Sequence, residues 1–172
     1  MKSLVIADCS IPEHLFNESV IVDLHNVQFA RCTGGLECLK NNGQCRFQDD
    51  MTIISKWSAQ IPLIIYISRI RYGEFDLAFK KIIEREVCNA QAGYVADGDT
   101  TSRNGKAKKK KQLLVIGYGD ITEQEQASFK KYLVASSLPY SFTNIDTYFC
   151  QEEELDDVLK LFGGVDHERP RP

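Results

Sequence analysis

The stretch Pro62–Ser68, which reads Pro-Leu-Ile-Ile-Tyr-Ile-Ser, decides the fold class of this chain. Its apolar run is short, unbroken and rich in isoleucine, which is typical of a strand buried on both faces of a parallel sheet. Other short apolar segments lie before and after it along the chain. Together they predict five strands: Ser3–Asp8, Ser19–Leu24, Pro62–Ser68, Gln112–Gly117 and Thr143–Phe149.

Amphipathic helices are predicted between the later strands, because apolar residues recur there at helical spacing. Strands that alternate with helices predict an α/β protein with a doubly wound parallel sheet and right-handed crossovers. The helix signals are the apolar faces within Phe75–Ile83 and Leu155–Phe162, the Thr122–Glu125 capping box, Asp49 or Asp50 as an N-cap, and Gly163-Gly164 as a stop.

Two segments depart from this regularity. Only ten residues, Cys9 to Glu18, separate the first two strands, whereas a parallel crossover usually takes a dozen or more. The first crossover helix is therefore predicted to be short or absent. The polar segment Gly93–Lys111 is predicted to be a loop. We expect one domain over residues 1–165, followed by a loose C-terminal tail, 166–172.

Composition excludes several classes of function. The chain has 172 residues, 43% of them hydrophobic and 26% charged, as in an ordinary globular protein. Its net charge of -3 provides no general attraction to nucleic acid, and no apolar run is long enough for a membrane span. Met1–Asp8 reads as a strand rather than a signal peptide. Six cysteines in a chain of this kind predict reduced thiols and a cytoplasmic location.

Candidate binding residues follow the third and fourth predicted strands, where ligands sit in doubly wound sheets. Gly73 permits close backbone approach, Tyr72 offers a stacking face, and Arg69 or Arg71 can hold negative charge. In the next loop, Gly117-Tyr118-Gly119 places two glycines around an aromatic ring. The same residues are also compatible with an exposed loop and an ordinary turn.

A cysteine-rich loop follows the second strand. Residues 31–45 read Arg-Cys-Thr-Gly-Gly-Leu-Glu-Cys-Leu-Lys-Asn-Asn-Gly-Gln-Cys, and Asp49-Asp50-Met51 comes shortly after. Zinc sites and iron–sulfur clusters normally use four ligands, and this loop supplies only Cys32, Cys38 and Cys45. His25 or another chain is a conceivable fourth ligand. We expect no metal, with these three cysteines as the weak candidates.

This loop resembles the corresponding loop of the NAD(P)H-dependent FMN reductases of the flavodoxin-like superfamily, which includes the iron–sulfur flavoproteins. There the pattern reads Cys-Thr-Gly-Cys-x-x-Cys, Gly-x-Cys and then Asp-Asp-Met, and Gly35 stands here in place of the second cysteine. The segment Ile70-Arg71-Tyr72-Gly73 and its following helix, Phe79–Arg85, are also similar to the family. The resemblance extends from Ser19 to Gly164.

The resemblance implies a flavodoxin-like three-layer sandwich with five parallel strands in the order 2-1-3-4-5. It also implies an FMN-binding oxidoreductase that takes electrons from NAD(P)H and passes them to a flavin or another small-molecule acceptor, with a homodimer as the expected assembly. Ser10 would face the flavin phosphate and Gly117, Tyr118 and Gly119 would close one side of the ring. The ring and ribityl contacts would be Arg69, Ile70, Arg71, Tyr72, Gly73, Glu74 and Phe75.

The loop after the first strand fits this implied function poorly. Family members bind phosphate with a hydroxyl-rich loop that opens a helix, whereas Asp8–Glu13 has one hydroxyl, no glycine, and a proline without an amide hydrogen. Asp8 and Glu13 would both repel a phosphate dianion. The alternative is therefore a degenerate relative that does not bind FMN and acts as a partner subunit or binding module.

Overall fold

A computed structural model describes residues 3–35, 37–41, 44–90, 94–97, 100–103, 111–137 and 142–164. The strands are β1 (Leu4–Ala7), β2 (Val20–Asp23), β3 (Leu63–Arg71), β4 (Glu74–Phe75), β5 (Tyr94–Asp97), β6 (Thr100–Arg103), β7 (Lys111–Tyr118) and β8 (Phe142–Cys150). The helices are α1 (Glu37–Lys40), α2 (Asp50–Gln60), α3 (Leu77–Ala90), α4 (Glu123–Ser137) and α5 (Leu155–Gly163), and a 3-10 turn (Glu152–Glu154) precedes α5.

The main sheet has its parallel strands in the order β2-β1-β3-β7-β8. Counting these five along the chain gives 2-1-3-4-5, so the predicted fold class is confirmed. The strand order reverses between β1 and β3. The carboxyl ends of β1, β3 and β7 lie side by side because these three strands are parallel neighbours in the sheet. No helix in the described residues is both long and apolar enough to cross a membrane.

Strand side chains alternate between two cores, because successive residues of a strand point to opposite faces. Leu4 and Ile6 of β1 pack into the core covered by α2, α3 and α4. Val5 and Ala7 enter the opposite core, which α5 covers together with residues of the loop after β1. The chain thus forms three layers, as predicted.

The first crossover has no helix between residues 9 and 19, all of which are described. Two turns replace it, and Leu15 and Phe16 from these turns are buried in the core beneath α5. The Phe16 amide donates to the Gly163 carbonyl at 2.9 Å, and the Phe16 ring lies against Gly163 so closely that a Cβ there would approach it to 2.6 Å. The prediction of a short or absent first helix is confirmed.

The structure corrects two predicted loops. β3 continues past Ser68 and turns back into β4, so the segment after the third strand is a β-hairpin rather than an open loop. In the predicted loop Gly93–Lys111, β5 and β6 pair antiparallel as a second hairpin. Lys111 is buried as the first residue of β7 and donates to the Ser58 carbonyl. Lys106–Lys110 and the tail 166–172 lie outside the described residues.

The predicted helix caps act as expected, but Phe75, predicted to lie on a helical face with Phe79, belongs to β4 because α3 begins only at Leu77. Asp49 is the N-cap of α2 and accepts from the Met51 amide. Thr122 and Glu125 form the reciprocal capping box that begins α4. Gly163 is the last residue of α5 and Gly164 is its C-cap.

Candidate functional site at the carboxyl edge of the sheet

Asp8 connects the carboxyl ends of three neighbouring strands. Its carboxylate accepts from the Ser68 hydroxyl at 2.8 Å and from the Arg69 amide at 3.1 Å, both in β3. It also accepts from the Tyr118 hydroxyl at the end of β7, at 3.0 Å. All three groups are donors, which is the pattern that an ionised carboxylate requires. The crevice where a ligand would enter is thus bridged by a half-buried negative charge.

Arg69 lies beside this network and is itself neutralised. Its guanidinium makes a two-pronged contact with Glu152, with Nη1 at 2.7 Å from Oε2, immediately after β8. The guanidinium also stacks over the Tyr118 ring, 5.0 Å from the ring centroid. Tyr118 is 5% exposed, so its ring is largely covered at this edge. Such a paired, stacked arginine is held rigidly in place.

The electrostatics of the edge follow from these contacts. Burial raises the pKa of Asp8, although the hydrogen bonds from Ser68, Tyr118 and Arg69 oppose this shift. Burial and the neighbouring Asp8 carboxylate also raise the pKa of Tyr118, which keeps its hydroxyl protonated and donating. The hydrogen bond from Arg69 lowers the pKa of Glu152. At this edge the Arg69 charge is therefore paired with Glu152, whereas the Asp8 carboxylate is held by uncharged donors.

The β3–β4 hairpin carries the exposed part of the predicted site. Arg71 pairs with Asp76 at 3.2 Å, and Glu74 pairs with Lys80. Tyr72 is 90% exposed at the tip, where it and Gly73 both have positive φ, at 55° and 72°. Two such residues between paired strands meet the requirement of a type I′ turn.

Four of the predicted contact residues are enclosed by protein. Ile70 and Phe75 are each 2% exposed, and Phe75 packs within the aromatic cluster of α3 and α4. Gly117 lies between Ile70 and Phe149, where a Cβ would come within 2.8 Å of Ile70. A Cβ on Gly73 would approach Ser128 of α4 to 3.1 Å. These four residues position the hairpin and the strand end.

In an FMN site of this fold, the loop after β1 would have to bind the phosphate group. Ser10 is exposed there, but no helix follows it, so the row of free amides that holds a phosphate in helix-opening loops is missing from residues 9–19. Arg69 and Arg71 are each paired with a carboxylate. The residues present at this end do not fit a phosphate dianion. Gly119, with φ of 124°, is buried beside Arg69 at the ring end, and its amide donates to the Cys150 carbonyl at 3.1 Å.

The cysteine loop lies apart from this edge. Cys32, Cys38 and Cys45 line a small cavity of about 30 Å³ beside Phe47. The His25 ring, considered above as a fourth ligand, pairs with Asp23 at 2.9 Å. Within the described ranges, no three Cys, His, Asp or Glu side chains are arranged to hold a metal ion.

Sequence reasoning missed three residues at these sites. Glu152 belongs to an acidic run directly after the last strand, and its place at the carboxyl end of β8 was a usable signal. Ser68 was assigned only to the end of a strand. Cys88 was not among the predicted site residues, although it lines one cavity with Cys45 and lies near Cys38. Nothing in the sequence indicated that last contact, because it joins segments some forty residues apart.

Comparison with known proteins supports the fold. No family model matches the sequence, and no curated protein matches it significantly. Among solved structures, the chain is similar to an NAD(P)H:quinone oxidoreductase from Methanothermobacter marburgensis, with 10% identity, 96% of each chain covered and a TM-score of 0.62. It is also similar to an FMN-dependent NADH-azoreductase from Bacillus anthracis in complex with FMN, with 13% identity, 93% of each chain covered and a TM-score of 0.58.

A third similar structure is the Trp repressor binding protein from Bacillus subtilis, with 13% identity, 97% of this chain and 100% of that chain covered, and a TM-score of 0.53. At these identities the similarity establishes the fold, which is flavodoxin-like over nearly the whole chain. Function at the carboxyl edge has to be argued from the residues themselves.

Proposed function

We propose that this protein is a flavin-using, NAD(P)H-dependent oxidoreductase that binds its flavin through the ring end and without a phosphate anchor. The observation that carries the proposal is the fold shared with an FMN-dependent azoreductase and a quinone oxidoreductase over more than nine-tenths of the chain. The flavin would bind at the carboxyl edge, where the chain crosses over in strand order.

The ring would be held by the exposed tip of the β3–β4 hairpin and by Arg69 beside it. Tyr72 offers an uncovered aromatic face, and the Arg69 guanidinium lies over the Tyr118 ring, beside the buried Gly119. Arg71 and Glu74 flank the hairpin tip. Ile70, Gly73, Phe75 and Gly117 would support these contacts from below. A bound flavin supplies the hydride and electron chemistry, while the protein orients the ring.

Weak, reversible binding follows from the missing phosphate site. A flavin held without charge-assisted phosphate contacts loses several hydrogen bonds, each of which contributes about 1.5–3 kcal/mol. Such a protein would exchange flavin with solution rather than retain it through purification. In that respect flavin behaves as a substrate, in keeping with a flavin reductase.

One observation favours a second candidate function. Asp8 bridges β1, β3 and β7, so the chain's own side chains hydrogen-bond to one another at the place where a ligand would bind. A flavodoxin-like protein with this arrangement could dispense with flavin and act as a partner subunit or binding module. Fold does not by itself dictate chemistry, so the two candidates are separated by measurement.

Titration of the purified protein with riboflavin and with FMN, followed by flavin fluorescence, tests the proposal. We expect both to bind, with dissociation constants within about tenfold of each other, because the phosphate gains no contacts. Absence of binding by either flavin would contradict the proposal and leave the second candidate. Strong preference for FMN would contradict the proposed lack of a phosphate anchor.

Two substitutions sharpen this test. Tyr72→Ala should weaken the binding of riboflavin and of FMN to the same extent, since it removes the exposed aromatic ring. Asp8→Asn should strengthen the binding of FMN relative to that of riboflavin, because it removes a negative charge near the place of the FMN phosphate. Asp157→Asn on α5, an exposed carboxylate paired with Lys160, serves as a matched charge control and should leave both affinities unchanged.

We further propose that the protein works in the cytoplasm as a homodimer. All six cysteines are free thiols, as suits a reducing compartment. Dimerisation is carried over from the family that the sequence resembles. Sedimentation of the purified protein tests it, and a monomer at micromolar concentration would contradict it.

A further inference from the structure

Three thiols from two distant parts of the chain meet on one side of the molecule. Cys88 lies in the last turn of α3, and the thiols of Cys38 in α1 and of Cys45 in the loop that follows are near enough to raise its pKa. Cys45 and Cys88 also line one cavity of about 370 Å³ between α2 and α3. That volume lies within the range of small-molecule sites, about 300–1,000 Å³.

An ion pair holds these two segments together beside the thiols. Arg85 lies three residues before Cys88 in α3, so the two side chains share a helix face. Its guanidinium contacts both carboxylate oxygens of Asp49 at 2.8 and 2.9 Å, and it donates to the Ala30 carbonyl at 2.6 Å. The Arg85 side chain is only 2% exposed. The cysteine loop is therefore docked on α3 independently of any bond between sulfur atoms.

We propose that Cys88 and one cysteine of the loop, Cys45 or Cys38, form a reversible disulfide by exchange with a low-molecular-weight disulfide that enters this cavity. The two protein thiols are oxidised in this exchange. The oxidant is the entering disulfide, which is of the glutathione type. The site belongs to the cysteine loop and does not depend on flavin binding at the carboxyl edge.

The exchange proceeds in two balanced steps. A loop cysteine loses its proton and attacks one sulfur of the entering disulfide, which releases one small thiol and leaves a mixed disulfide. Cys88 then loses its proton, attacks the protein sulfur of that mixed disulfide and releases the second small thiol. Two protein thiols are oxidised to one disulfide, and one small disulfide is reduced to two thiols.

The surroundings assign Cys88 to the second step. Burial and the neighbouring thiols raise the pKa of Cys88 to about 12, so it rests as a neutral thiol and does not begin the exchange. The Arg85 guanidinium lines the same cavity as Cys45 and Cys88. A nearby cation stabilises a thiolate as it forms.

Oxidised glutathione provides the test. The folded protein is incubated with it, quenched with an alkylating agent and digested for mass spectrometry without reduction. We expect two of the six thiols to be lost, and a peptide containing Cys88 to be linked to one containing Cys45 or Cys38. Dithiothreitol should restore both thiols. Persistent mixed disulfides alone, a disulfide that excludes Cys88, or no loss of thiols would each overturn the proposal.

Variants provide a second readout. Cys88→Ala should stop the reaction at the mixed disulfide, so that glutathione stays attached to the loop. Cys150→Ala removes a buried thiol in the opposite core and should leave the exchange unchanged. If Cys88→Ala does not fold, the linkage map of the wild-type protein still decides the question, because it requires no variant.

Discussion

At the scale of single residues, two carboxylates have different surroundings and different consequences. Asp8 is held by neutral donors, and burial raises its pKa. Asp49 faces the guanidinium of Arg85, and although burial opposes the shift, the hydrogen bonds from Arg85 and from the Ala30 amide lower its pKa. Asp49 also caps α2, so it joins that helix, the cysteine loop and α3. Its charge is expected to contribute to stability.

Replacing Asp49 with asparagine should lower the free energy of unfolding by about 3 kcal/mol at pH 7, because it leaves the buried Arg85 charge unpaired. Since the folded pKa of Asp49 lies below its unfolded value, this contribution is complete above about pH 4 and is lost as the pH falls through the folded value. Urea unfolding of both proteins at pH 7 and pH 3 measures the difference.

Asp157→Asn is the matched control for this prediction. Asp157 and Lys160 are an exposed pair one turn apart on α5, so the substitution should leave the free energy of unfolding nearly unchanged. If Asp49→Asn has the same effect at both pH values, the loss arises from the cap or from packing rather than from the ion pair.

At the scale of elements, the turn of the β3–β4 hairpin contains a residue whose backbone conformation is unfavourable. Tyr72 adopts a φ of 55°, a left-handed conformation that costs a side-chain-bearing residue about 1–2 kcal/mol. Asparagine and glycine adopt it readily. Because the ring is 90% exposed, no packing on the described protein compensates for the strain. Backbone strain of this kind often marks a functional position.

Tyr72→Asn should therefore raise the free energy of unfolding by about 0.5–1 kcal/mol while weakening flavin binding. Thermal unfolding and flavin titration of the same preparation measure both effects. Tyr72→Val is the contrasting variant, because a β-branched side chain tolerates positive φ poorly and should destabilise. Unchanged flavin affinity in Tyr72→Asn would show that the ring is not part of the binding surface.

At the scale of the whole molecule, one face of the sheet is covered without the helix that would normally follow β1. Doubly wound sheets need both faces buried, and here α5 shares its face with Leu15 and Phe16 from the turns after β1. The Phe16 ring fits against Gly163, where no larger residue could stand. One aromatic side chain thus takes over part of the packing that a first helix would supply.

Phe16→Ala should lower the free energy of unfolding by about 3 kcal/mol or more, because it leaves a cavity between the sheet and α5. Leu161→Ala is the control on α5; Leu161 is 49% exposed, so little change is expected. Chemical denaturation of both variants measures the effect. A loss below about 1 kcal/mol for Phe16→Ala would show that the segment is dispensable to this core.

Much of the architecture was predictable because it depends on local patterns. The unbroken apolar run of β3 identifies a buried parallel strand, and Asp49, Thr122 and Gly163 mark helix ends by their own chemistry. The short crossover after β1 was predictable from the ten residues available to it. The extension of β3 into a hairpin was not, because Arg69-Ile70-Arg71 reads as polar and irregular until its pairing partner is known.

The sequence by itself thus determined the strands of the sheet and the absence of a helix-opening phosphate loop, since both depend on residue types at neighbouring positions. The strand order was implied by the resemblance to a known family. Only the tertiary structure decided that Asp8 joins Ser68 and Tyr118, that Glu152 neutralises Arg69, and that Cys88 meets the cysteine loop. Hydrogen bonds, ion pairs and thiol contacts act over a few ångströms, and only folding brings residues some forty to more than one hundred positions apart within that distance.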